Sequence, residues 1–320
     1  MEDRAGVVVP PNPAERDRPR MDPPNVLWFF GAYALVFAAY ALLETIPKSN
    51  SSLWVFVTSL AFLAGFAVAS WLLLQRLWWV PGGLASALAV AMVPAVSIGF
   101  LKLVHVWPKH LGDPFNHFSG YAFGVALVAA AAGVVAFALT RFPFNFFVVV
   151  AALLVASQLL AAAFESSPAA DDRATMALVA GAALVIIGVF FDAFGRRSDA
   201  FWFHVLGWFS VAGGLVFFTV DPEGDPNRGW VPMLIVGVLM LMVAGPIRRA
   251  TWAAYGVLGY YAPVLHFMIK GLNEDRWPFA LLLLAVALTI FALGMLLHRY
   301  GAVWSQRFVR RPPPAPPPLP

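Results

Sequence analysis

The stretch FDAFGRRSDAFWFH at 191–204 carries Asp192, Arg196, Arg197, Asp199 and His204 between two long apolar runs. A carboxylate and an imidazole can pass a proton between them near neutral pH, and paired guanidiniums can hold an anion or anchor a turn at a membrane surface. A second group lies in HVWPKHLGDPFNH, where His105, His110 and His117 accompany Lys109 and Asp113. Imidazoles bind zinc-like ions, but spacings of five and seven residues in a proline-containing loop match no defined ligand signature, so no metal is expected. The third group consists of polar residues in or at the ends of apolar runs: Glu44, Gln158, Tyr260, Tyr261, Pro263 and His266. Proline inside a helix frees a carbonyl one turn back, and transporters use such broken helices to expose backbone groups to a substrate. If the chain has a translocation pathway, TWAAYGVLGYYAPVLHFMIK at 251–270 is where the sequence places it.

The elements that must position these residues follow from composition. The chain has 320 residues, 61% hydrophobic and 12% charged, against roughly 45–50% and about 25% in a soluble domain. Its apolar residues come in blocks long enough to cross a ~30 Å hydrocarbon core at ~1.5 Å per helical residue. Runs of this length without alternation exclude a barrel, because backbone groups in lipid must pair within a helix or a closed sheet. The expected fold is therefore an all-α polytopic bundle with no soluble domain. Ten spans are expected, at 26–46, 53–74, 82–104, 118–139, 143–164, 174–194, 200–220, 230–247, 251–269 and 277–298. Residues 1–25 and 299–320 are rich in proline and charge and are expected to be disordered tails on the cytoplasmic side.

Charge sets the orientation. With the N-terminus on side one, that side holds 14 of the 21 lysines and arginines, giving net +7 there and −3 opposite. The positive-inside bias makes side one cytoplasmic, with both termini inside. The overall charge of +4 then reflects loops facing anionic headgroups. The lipid bilayer is the expected partner and nucleic acid is not, while PPPAPPPLP at the C-terminus could present a polyproline helix to a cytoplasmic protein.

Two readings of 191–204 follow. In the first, it is a turn between the sixth and seventh spans, with Ser198 or Asp199 capping the next helix, Phe201 and Trp202 in the aromatic belt, and His204 reaching headgroup water. Each residue type then has an ordinary reason to be present. In the second, Asp192 and His204 form a cytoplasmic gate or proton relay. Gly120 and Gly124 offer a small-xxx-small face for helix packing.

The segment FD…RRSDAFWFH resembles one in uncharacterised bacterial multi-span membrane proteins, where a charged turn leads into an Ala-Phe-Trp-x-His helix start. That resemblance implies a bacterial inner-membrane protein and no particular activity. No His-Glu-x-x-His, Gly-x-Ser-x-Gly or phosphate-loop motif is present, there is no cysteine, and no cofactor is implied. Three function classes stay open: a small-solute or ion transporter, which the kinked aromatic-rich spans favour; a membrane-embedded enzyme or lipid-handling protein with an outer-face polar site; and an assembly scaffold.

Overall fold

The computed structural model describes residues 23–45, 51–108, 114–164, 168–219, 228–247 and 249–271, with five further positions at 284, 288, 289, 291 and 295. Among them nine α-helices follow one another: α1 (Pro23–Glu44), α2 (Ser51–Gln75), α3 (Trp79–Leu103), α4 (Gly120–Thr140), α5 (Asn145–Phe164), α6 (Ala170–Ala193), α7 (Arg197–Thr219), α8 (Trp230–Ile247) and α9 (Ala250–Gly271). The first eight are long and apolar enough to cross a membrane. In α9, three tyrosines, Thr251 and His266 dilute the apolar character. The described residues contain no strand.

Nine of the ten expected spans coincide with these helices to within four residues at every end. The tenth, 277–298, lies outside the described residues except for the five isolated positions, which are helical. Two boundaries differ for identifiable reasons. The helix α1 begins at Pro23, inside the segment expected to be a tail, because proline is tolerated in a first turn whose N–H groups have no helical partner. The helix α6 begins four residues early, taking in Asp171 and Asp172. Acids favour the positive end of the helix dipole, and Asp172 reaches back to accept a hydrogen bond from the Ala169 N–H at 2.9 Å. The remainder of both tails lies outside the described residues.

The chain forms two compact units. The first contains α1–α5 together with residues 196–202; the second contains α6, the rest of α7, α8 and α9. In the first unit α3 packs against each of α1, α2, α4 and α5. Half of α3 is buried, against 11% of α1 and of α2, so those two form the margin. A Cβ on Gly99 would lie 2.8 Å from the Phe56 Cα, so α2 and α3 approach backbone to backbone. Phe142 and Phe144 pack on Leu84 and Ala87. Trp202 stands edge-on to Phe144 and Phe147 at 5.1 and 5.0 Å. Trp202 is thus a packing residue rather than an interface anchor; Phe201 beside it is exposed.

Glycine sets the spacing of the second unit too. A Cβ on Gly181 would fall 2.6 Å from the Gly207 carbonyl, and one on Gly214 would fall 2.7 Å from the Ala174 carbonyl, which brings α6 against α7. Between α8 and α9 a Cβ on Gly237 would lie 2.5 Å from the Gly259 carbonyl carbon. Such approach replaces the hydrophobic driving force that lipid cannot supply between helices. The expected face at Gly120 and Gly124 does not serve this purpose: a Cβ at either position would meet nothing within 4 Å.

Candidate functional site

The charged turn is divided between the two units. On the first unit's side, Arg196 donates from Nε to Asp199 Oδ2 at 2.7 Å and lies 5.5 Å over the Phe137 ring. Asp199 is buried and Arg197 exposed. The helix α7 starts at Arg197, so Ser198 and Asp199 stand within its first turn rather than before it. The Asp199 carboxylate there favours the positive end of the helix dipole.

On the second unit's side, Asp192 ends α6 and His204 enters α7. His204 is 0% exposed, which corrects the expectation that it reaches headgroup water. The correction has a local cause. The turn at Phe194–Arg196 is tight, with Gly195 at φ +75° donating its N–H to the Asp192 carbonyl at 2.9 Å, so the antiparallel helices stay close. Gly188 then leaves the ring its space: a Cβ there would lie 3.0 Å from His204 Cε1.

Four side chains complete one another around this point. His204 Nε2 is 2.8 Å from Asp192 Oδ2. Arg249, just before α9, donates from Nη2 to Asp192 Oδ1 and from Nε to Oδ2 at 3.2 Å. Trp252, in the first turn of α9, donates its indole N–H to His204 Nδ1 at 3.1 Å. An indole nitrogen is a donor only, so Nδ1 must accept, Nε2 carries the hydrogen, and His204 is the neutral imidazole donating to Asp192. Side-chain exposure is 13% for Asp192 and 12% for Arg249. A charge at that burial demands a partner, and the guanidinium fork neutralises the carboxylate. Losing one member of such a pair costs about 3–5 kcal/mol.

Around the cluster, Trp208 stands edge-on to Trp252 at 5.0 Å, and Tyr255 donates to the Val205 carbonyl at 3.2 Å. Trp208 Nε1 and Thr251 Oγ1 are buried without a hydrogen-bond partner among the described residues. His266 Nε2 is the third such atom, and its ring stacks flat on Trp230 at 4.3 Å. Every one of these atoms belongs to the second unit.

The other candidates fall in both units. Glu44 is exposed at the end of α1 and Gln158 is half-buried on α5, both in the first unit. Tyr260, Tyr261, Pro263 and His266 lie on α9, with Pro263 fully buried. His105 and His117 are exposed at the ends of α3 and α4, while His110 and Asp113 lie outside the described residues. Among the described residues no group of three or more histidines and acids could hold a metal ion.

Arg249 and Trp252 escaped the sequence reading because arginines at a turn already had a topological role and a tryptophan at a helix start already had an interfacial one. A usable signal was present: an acid in the last turn of one span and an arginine opening a later span on the same side of the membrane. No protein-family model, curated protein or solved structure matches the chain.

Proposed function

We propose that the chain is a ten-span bacterial inner-membrane protein with both termini cytoplasmic, and that it moves a small solute or ion in exchange for, or together with, a proton held at Asp192 and His204. The observation that carries this reading is the fully buried His204 bonded at 2.8 Å to a carboxylate that Arg249 also holds. Ionisable groups inside a membrane bundle are costly, and proton relays are a principal use for them. A purely structural clasp needs no titratable imidazole. The topology rests on the positive-inside bias and on the tenth apolar run at 277–298; the bacterial assignment rests on the resemblance of the charged turn.

The test uses vesicles containing the purified protein and a trapped pH-sensitive dye. Sodium, potassium and small primary amines are added outside in turn. A change of internal pH on addition of one of them, lost in Asp192→Asn, supports the reading. Absence of any response across the series, in vesicles shown to contain folded protein, contradicts it.

A further inference from the structure

Resting on the reading above, we propose that Trp252 is a positioning residue that makes protonation of His204 and separation of α9 from α7 one event. Both ring nitrogens of the imidazole are occupied. Nδ1 is filled by the Trp252 N–H at 3.1 Å and Nε2 by its own hydrogen aimed at Asp192 at 2.8 Å. A second proton could bind only at Nδ1, where it would point at the indole hydrogen. Two donors cannot share that axis, so Trp252 must leave before or as the proton arrives.

Trp252 has little freedom to leave alone. It is 8% exposed and packed in a cluster with Val185 and Ala244, bordered by Trp208, Val243 and Ile247. Its backbone belongs to the first turn of α9, immediately after Arg249. Withdrawing the indole therefore draws that end of α9 away from α7. The second bond between the helices, from Tyr255 Oη to the Val205 carbonyl, lies one turn along and is the weaker at 3.2 Å. Glycine contacts tie α9 to α8 at Gly237, Gly256 and Gly259, while Gly229, just before α8, approaches Thr219 and Leu215 at the far end of α7, so α8 and α9 can swing together about that end.

The groups facing His204 favour such a switch. From α6 comes the Asp192 carboxylate, bonded to Nε2, and from the segment before α9 comes Arg249, which holds that same carboxylate. Motion of α9 carries Arg249 outward with Trp252, which leaves the Asp192 carboxylate to the imidazole alone. On α7 itself, Arg197 and Asp199 lie toward the start of the helix, with Asp199 engaged by Arg196. Near Trp252, α8 contributes the apolar Val243, Ala244 and Ile247.

The experiment exploits the absence of cysteine in the chain. Spin labels at Phe209→Cys on α7 and Leu258→Cys on α9, side chains 65% and 64% exposed, report the distance between the helices in vesicles. On acidification from neutral pH the distance should grow by about 2 Å, the scale of helix shifts in switching proteins. The shift should vanish in His204→Gln, which cannot take a proton, and in Trp252→Phe, which keeps an aromatic ring but no longer occupies Nδ1. A constant distance in the parent chain, or a shift that persists in both variants, overturns the proposal. The flux assay separates this from the transport reading: solute-linked pH change with an invariant distance removes the latch alone, and a pH-driven distance change without any flux removes transport alone.

Discussion

Each unit of the molecule buries a polar network among its described residues, and the two are built differently. In the first, Asn145 is fully buried where α5 begins; its amide accepts from Ser86 Oγ at 2.9 Å and donates to Thr140 Oγ1 at 2.9 Å, and Thr140 in turn donates to the Ala136 carbonyl. All members are neutral and none titrates near physiological pH. In the second, Asp192, His204, Arg249 and Trp252 form a network of the same size with two charges and an imidazole. A neutral clasp suffices to join helices in lipid. The charged one carries a larger desolvation cost for the same mechanical result, and that surplus is what a switch requires.

Breaking each network measures the contrast. Asp192→Ala should cost the most, about 3–5 kcal/mol in detergent unfolding, because Arg249 and His204 lose the buried carboxylate they share. Should the loss fall below about 1 kcal/mol, the cluster is solvated and the contrast disappears. Asn145→Ala should cost about 1–3 kcal/mol, the penalty for a buried Ser86 hydroxyl without its acceptor, and leave any solute-linked pH response unchanged. An Asn145 variant that abolished the response while remaining folded would erase the functional distinction between the units.

Smaller substitutions sharpen the same picture. Gly237→Ala pushes a methyl to 2.5 Å from the Gly259 backbone and should lower stability by about 1–3 kcal/mol, whereas Gly124→Ala, in open space, should stay within about 0.5 kcal/mol. Equal effects would mean that glycine contact does not set the helix spacing of the second unit. Arg228→Ala removes the partner of Asp171, a pair with side chains 52% and 34% exposed, and should cost at most about 1 kcal/mol, shrinking further in high salt. It is the exposed counterpart of the Arg249 pair, and a loss rivalling that of Asp192→Ala would remove burial as the deciding factor.

The helices were legible in the sequence because a bilayer demands apolar runs of crossing length, and such runs placed nine of them, of which eight are long and apolar enough to span a membrane. What failed was anything depending on which helix faces which. His204 sits close enough to a charged turn that its distance along the axis suggested water, yet its direction around the axis buries it against Gly188. Gly120 and Gly124 have the familiar spacing and face open space, while Gly181 and Gly207 make the close contact. Asp192 and His204 were legible as a pair with potential chemistry; Arg249, more than fifty residues on, was not, because its role depends on α9 returning to the same end as α6.

The state of His204 is the quantity on which the account turns, and nitrogen NMR of histidine-labelled protein in bilayers at neutral pH reads it directly. The account predicts a neutral imidazole with hydrogen on Nε2 and a bare, hydrogen-bonded Nδ1 whose signal moves in Trp252→Phe. A His204 resonance with hydrogen on Nδ1, or one exchanging freely with water and indifferent to Trp252, would contradict it.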